Sequence, residues 1–331
     1  MSITIKDVAK EAGVSVATVS RVLNGSCNVS DESTKKVNET IARLNYSPNF
    51  LGRNLRKCET NVILVIMPTS EHSLYSKIVM GMQEYAGKVG YDIITAVSYS
   101  TSTAETRQMN MLFNRTVDGV ILLGTQYDAD SLNKLAENYN VALCCEGVEG
   151  ANVLTVAVDD EQAAFDAVAT LIKKGHKRIG FIGTNSAAIS STARENGYIR
   201  ALKEYGIKIK NEYIYKESYD YDCGGRAFEY FNALAEKPTA IFAVSDVLAI
   251  SAMHKAIDMG IDVGKDVAIM GFDNISMCEW IIPTLSTVEQ PCSKMGELVV
   301  AKLIENMNKT TKDNHYYTVD HKIILRASTG D

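Results

Sequence analysis

The sequence has little of what usually marks a catalytic or metal-binding protein. Its five histidines (His72, His176, His254, His315 and His321) do not cluster along the chain. Its seven cysteines (Cys27, Cys58, Cys144, Cys145, Cys223, Cys278 and Cys292) form no CxxC pair and no Cys/His group at zinc spacing. No metal site is therefore expected. The cysteine count is odd, and Cys144 and Cys145 sit inside the apolar run VALCCEG, where cysteine acts as a small hydrophobe. Reduced thiols in a reducing compartment are expected. There is no P-loop, no GxSxG elbow and no HExxH. Gly180 to Gly183 supplies only GxxG, short of a dinucleotide fingerprint. No cofactor and no enzymatic activity are expected. No apolar run reaches the roughly 18 residues that a membrane span needs. The N-terminus, MSITIKDVAKEAG, is mixed rather than apolar. It does not read as a secretory signal, so the expectation is a cytoplasmic protein with no membrane partner.

What is present is unevenly divided. A chain of 331 residues is expected to hold two or three domains. The net charge of −6 splits into +4 on residues 1–57 and −10 on the remainder. A basic head on an acidic body suggests that only the head meets a polyanion.

The head reads as helices. Thr4 can cap a first helix, with Asp7 in its first turn near the exposed amides. Ile5, Val8, Ala9 and Ala12 recur on one helical face. Gly13 breaks that helix, and Ser15 caps a second, SVATVSRVLNG. There Val16, Val19, Val22 and Leu23 share a face. Ala17, Thr18, Ser20, Arg21 and Asn24 fall away from it with no acidic residue among them. Hydroxyls, an amide and an arginine are the groups that reach bases and phosphates in a DNA groove. A third helix from about Ser30 to Asn45 places Val37, Ile41 and Leu44 together. Helix, short turn and helix is the helix-turn-helix arrangement. Ser47 to Lys57 follows as a short basic helix, with Ser47 as cap, Pro48 in the first turn, and Leu51 and Leu55 on one face. About ten residues are too few to stay helical alone in water. Gly52 weakens the segment by about 1 kcal/mol relative to Ala.

Beyond the head, near-continuous apolar runs alternate with amphipathic helical stretches. NVILVIM, YDIITAVS, DGVILLG and VALCCEG form one set. NVLTVAV begins a second, with RIGFIG, TAIFAVS and VAIMGFD. Such runs between helices mean parallel sheets covered on both faces, and two blocks mean two doubly wound subdomains. Ligands bind these sheets at the carboxyl ends of the strands, here in a cleft between subdomains.

DVAKEAGVS, TVSRVLNG and LNYSPN, at their spacing, resemble the DNA-binding head of the LacI/GalR family of bacterial transcription regulators. ARENGYIRAL, DVAIMGFDN, PTLSTVEQP and ILRASTG extend the resemblance through the body to the family's periplasmic-binding-protein-like core. It implies a helix-turn-helix domain at 1–46, a hinge at 47–58, and an effector-binding and dimerisation core at 59–331. The first subdomain would cover about 60–158 and 291–320, the second about 159–290 and 321–331.

The resemblance also implies roles. Val16, Ala17 and Arg21 would read bases, the first two by contact with thymine methyls rather than hydrogen bonds. Ser15, Thr18, Ser20, Asn24, Thr34 and Tyr46 would hold the DNA backbone. Leu51, Arg53, Leu55 and Arg56 would form a minor-groove hinge, with Leu55 as the wedge that kinks the duplex. Specificity would lean on Arg21 and on that deformation. Leu74, Tyr75, Glu146, Ser190, Arg194, Tyr219, Ser245, Asp273 and Trp280 would line the effector site. Rings, an arginine and a carboxylate suit a sugar, and equally a purine.

Three departures stand out. Ser245 replaces the asparagine that relatives commonly carry, and Gly52 their alanine. Ser47 replaces the arginine of the catabolite-control members, which argues against a phosphorylated carrier protein as partner. The chain ends directly after ILRASTG without the heptad tail of tetrameric relatives, so a homodimer on a palindromic operator is expected. The resulting expectation is a repressor controlled by a small sugar-like molecule. The alternatives are a purine- or other metabolite-responsive regulator and, from another class, a cytosolic ligand-binding protein or an enzyme on a Rossmann-like fold.

Overall fold

A computed structural model describes residues 3–23, 29–46, 59–185, 188–309 and 312–331. The expected hinge, with Leu51, Arg53, Leu55 and Arg56, lies outside the described residues, as does Asn24. The chain divides into two compact units, Met1–Glu59 and Thr60–Asp331.

The first unit is three short helices, α1 (Ile5–Ala12), α2 (Val16–Leu23) and α3 (Asp31–Leu44). Each start is capped from the sequence. The Thr4 amide and hydroxyl both donate to Asp7, at 2.8 and 2.7 Å. Ser15 Oγ accepts from the Thr18 amide at 3.1 Å, and Ser30 Oγ from the Ser33 amide at 3.3 Å. Gly13 closes α1 with φ +66°, a left-handed conformation that glycine adopts without a Cβ clash. The core is Val8, Ala9, Val19 and Val37, with Ile41, Leu44 and Tyr46 packed around it. Val16, which sequence spacing put on the same face as Val19, is instead 42% exposed. It opens α2 one turn before Val19 and projects past the small core.

The second unit holds strands β1 (Val62–Met67), β2 (Asp92–Val97), β3 (Gly119–Leu122), β4 (Val141–Cys144), β5 (Leu154–Ala157), β6 (Ile179–Thr184), β7 (Ile214–Glu217), β8 (Ala240–Ala243), β9 (Ala268–Asp273), β10 (Ser286–Glu289), β11 (Tyr316–Thr318) and β12 (Lys322–Ile324). Between them run α4 (Ser73–Lys88), α5 (Ser102–Phe113), α6 (Ala129–Asn138), α7 (Asp160–Lys173), α8 (Ile189–Glu204), α9 (Tyr221–Ala233), α10 (Asp246–Asp258), the short α11 (Met277–Trp280) and α12 (Cys292–Met307). The strands form two six-stranded sheets, ordered β11-β5-β4-β3-β1-β2 and β12-β10-β9-β8-β6-β7. All neighbours pair in parallel except β10 and β12. The central strands β3, β4, β5, β6, β8 and β9 are buried along their whole length, because helices cover both faces.

The strand in NVLTVAV does not open the second sheet. It pairs with β4, Ala142 opposite Leu154, and lies in the first sheet between β4 and β11. Apolar patterning marks a strand but does not say which sheet takes it. The chain passes to the second sheet after Val158 and returns in α12, which packs on α4. It crosses back between β11, paired with β5, and β12, paired with β10.

Close helix contacts fix this frame. Gly81 and Gly296 lie where α4 meets α12. A Cβ on Gly296 would come within 2.2 Å of the Ile78 carbonyl oxygen. On α8, a Cβ on Gly197 would meet the Glu161 carbonyl oxygen of α7, also at 2.2 Å. A methyl there would push against the Glu161 and Phe165 backbone and the Ala164 Cβ, none of which can swing aside. Gly197→Ala is therefore expected to destabilise the body by about 1–3 kcal/mol, despite alanine's better helix propensity. A melting midpoint at or above the wild-type value would contradict this packing.

Candidate functional site

The two sheets turn the carboxyl ends of their strands toward a shared cavity of about 740 Å³. The loops after β1, β2, β3 and β4 supply one wall, and those after β6, β7, β8, β9 and β10 the other. This is where a doubly wound sheet presents free backbone and helix N-termini.

Arg194, on α8, organises the second-sheet wall. Its Nε donates to Asp160 Oδ1 at 2.8 Å and its Nη1 to the Val244 carbonyl at 2.6 Å. The same Nη1 lies 3.6 Å from Asp273 Oδ1, and the guanidinium stacks 3.7 Å from the centre of the Phe272 ring. Burial opposes the cation, but Asp160 and Asp273 outweigh it and hold the Arg194 pKa above its ordinary value. Burial pushes the Asp160 carboxyl up to about 6, against the pull of Arg194.

Asp273 ends β9 and is 3% exposed. Its φ of +112° and that of +51° at Asn274 turn the chain sharply. The turn is over-determined. Asp246 accepts from the Ile275 amide at 2.8 Å, Thr287 accepts from the Asn274 amide at 3.3 Å, and Arg326 donates to the Asn274 side chain at 3.0 Å. The Asp273 carboxylate then accepts from Gln290 Nε2 at 2.6 Å.

The opposing wall reaches across the cleft. His72 caps α4, its Nδ1 accepting from the Leu74 amide at 3.3 Å. Its Nε2 lies 3.0 Å from the Tyr219 hydroxyl and 3.7 Å from Asp273 Oδ2. Lys77 donates to the Asn274 carbonyl at 2.7 Å. The Ser190 hydroxyl donates to Glu146, and its amide does so at 3.3 Å. Tyr75 and Tyr219 bring aromatic rings to the cavity. Burial raises both phenols, Tyr219 to about 12.

Of the nine effector candidates, Leu74, Tyr75, Glu146, Ser190, Arg194, Tyr219, Ser245 and Asp273 line this one cavity. Ser245 is buried and also caps α10 through the Leu248 amide at 3.4 Å. Trp280 is a correction: it does not line the cavity and is 75% exposed. Cys278 is the buried residue of the short α11, and a residue two positions on points the other way. Sequence reading missed His72, Glu105 and Gln290, which also line the cavity, and Asp160 behind Arg194. A histidine just before a helix and a glutamine after TVE carry no periodic signal.

On the head, Ser15, Val16, Ala17 and Arg21 are exposed along the start and middle of α2, while Thr18, Ser20 and Thr34 are half-buried. Tyr46 packs on the head core. Arg21 has no ion-pair partner among the described residues, and α2 carries no carboxylate to repel a phosphate.

Residues 4–49 match the family described as bacterial regulatory proteins, lacI family, and residues 168–329 the periplasmic binding protein-like domain. Catabolite control protein A of Priestia megaterium is 38% identical over 331 residues, covering 99% of this chain and all of that protein. The HTH-type transcriptional repressor CytR of Escherichia coli (strain K12) is 32% identical, over 98% of this chain and 96% of that one. A crystal structure of the Lac repressor dimer bound to operator and the anti-inducer ONPF shares the fold. Its TM-score is 0.89 at 23% identity, over 99% of each chain.

Proposed function

The chain belongs to the LacI family of bacterial regulatory proteins and is a DNA-binding transcriptional regulator; we propose that it acts as a homodimeric repressor whose operator affinity is set by a sugar-like effector between the two sheets. The observation that carries this reading is the cavity itself. Arg194, Asp273 and Gln290 offer paired donors and acceptors at 2.6 to 3.6 Å from one another or from their supports. Tyr75 and Tyr219 add rings. Hydroxyls of a sugar need such paired groups, and its apolar faces stack on rings.

In this mechanism the effector changes the closure of the two subdomains about the three crossings. That alters the spacing of two hinge segments, residues 47–58 of each protomer, and so their pairing in the minor groove. The coupling is reciprocal: DNA that favours one closure shifts effector affinity by the same factor. The head would read a palindromic site through α2, with Val16 and Ala17 against bases and Arg21 as the main hydrogen-bonding reader. Ser15, Thr18, Ser20, Asn24, Thr34 and Tyr46 would hold the backbone. The likeness to Catabolite control protein A is not extended to a phosphorylated carrier protein, because Ser47 stands where those members carry arginine.

Calorimetric titration of residues 60–331 with sugars and nucleosides, followed by gel shifts of the full chain with each binder, tests the effector half. A nucleoside binding while no sugar does would replace the sugar reading. For the head, Arg21→Ala is expected to weaken operator binding by about 1–3 kcal/mol and to relax preference at one base position. An equal loss on unrelated DNA would make Arg21 a backbone contact instead.

A further inference from the structure

We propose that the effector carries a protonated amine beside its hydroxyls, as an amino sugar does, and that the amine lies against Glu105 and Glu146. This rests on the sugar-like effector reading above. The site is the cavity already described; what is added is the charge of its occupant.

The cavity wall carries one guanidinium, Arg194, against the carboxylates of Glu105, Asp128, Glu146 and Asp273. Two of these are accounted for. Asp273 faces Arg194 at 3.6 Å, and Arg194 is further neutralised by Asp160 at 2.8 Å. Asp128 caps α6 through the Ser131 amide at 2.8 Å. Glu105 and Glu146 form no ion pair among the described residues; Glu146 feels Arg194 only across the cavity, as one of the charges that hold the guanidinium protonated.

Glu105 is 1% exposed, and its partners are neutral: the Thr125 hydroxyl at 2.5 Å and the Gln126 amide at 2.8 Å. Burial without a cation raises its pKa. Glu146 uses only Oε1, toward the Ser190 amide and hydroxyl. Its Oε2 has no hydrogen-bond partner among the described residues and stands 4.0 Å from where a Cβ on Gly124 would be. Gly124, Thr125 and Gln126 are consecutive in the loop after β3. The two carboxylates therefore flank one short loop, both on the first-sheet wall and opposite Arg194.

A hydroxyl could donate to either oxygen but would leave the charge unopposed in a partly dry site. An ammonium supplies donors and charge together. A phosphate or carboxylate would meet like charge on this wall, which rejects phosphorylated sugars. The geometry puts the amine of the ligand on the Glu105–Glu146 side and its hydroxyls toward Arg194, Asp273 and Gln290.

The test uses the full chain, calorimetry and six probes: glucose, galactose, glucosamine, galactosamine and the two hexose 6-phosphates. The amino sugars should bind at least about tenfold more tightly than their parents, the range for hydrogen bonds to a charged group. The phosphates should bind weakest. Glu105→Gln and Glu146→Gln should each pull the amino-to-parent ratio toward one. Should either variant fail to fold, the wild-type ratio decides. Parents that bind as well as the amino sugars, both lost in Arg194→Ala, overturn the amine and keep the cleft. Amino-sugar binding that survives Arg194→Ala overturns the cleft reading. A chain that binds none of the six overturns both.

Discussion

Arg194→Ala is expected to weaken effector binding by two or more orders of magnitude while leaving effector-free operator affinity within a few fold. The large effect follows from what Arg194 does besides facing the cavity. Its side chain is 11% exposed and holds Asp160, the Val244 carbonyl and the approach to Asp273 at once. Truncation leaves two buried carboxylates without a cation, a loss of about 3–5 kcal/mol for a broken buried pair. Part of that loss is relieved when Asp160, already pushed up to about 6, takes a proton. The sign is set by the raised value. Asp160 protonates more readily folded than unfolded, so the variant should lose stability as pH rises from about 4 through 6, and further up once the pull of Arg194 is gone, and regain it as pH falls back. Arg194→Lys separates folding from recognition. Lysine keeps a charge near Asp160 but cannot hold Val244, Asp160 and a ligand oxygen in one planar fork. It should melt close to wild type and still respond poorly to effector. Melting curves over that pH range, with calorimetry at pH 7, check both variants. A lysine variant with wild-type effector affinity would remove Arg194 from the binding site.

The head was legible because its signals are local. Thr4, Gly13, Ser15 and Ser30 mark ends by their own chemistry, and Val8, Val19 and Val37 declare a core by helical spacing. Apolar runs likewise announced the buried strands of the body. They could not assign β5 to its sheet, since Leu154–Ala157 is apolar whichever neighbour it pairs with. In the cavity, Arg194 and Asp273 were legible through motifs around them. His72, Gln290 and Glu105 were not, because they come together only when separate loops converge. Trp280 shows the opposite error. A lone aromatic near GFDN reads as a ligand platform, but the direction of a side chain on a four-residue helix depends on which neighbour, here Cys278, finds the core.

The head's small core also makes it separable by mutation. Val19→Asp is expected to abolish operator binding, by more than about a hundredfold, without moving the melting midpoint of the body. Val19 is fully buried in an aliphatic cluster with Val8, Ala9 and Val37. An unpaired carboxylate there costs several kcal/mol. Three short helices have little stability in reserve, because a domain of this size buries only about 60% of its chain surface. The body's clusters share no residue with the head core, so its midpoint should hold. Val16→Asp supplies the contrast. Val16 is 42% exposed on the same helix, so the head should stay folded. Its DNA affinity should still fall, because a carboxylate at the proposed reading position repels phosphate. Circular dichroism of the isolated head separates the two cases, and gel shifts of the full chain read both losses. A Val19→Asp chain that still retards operator DNA would mean the three helices are not held by this core.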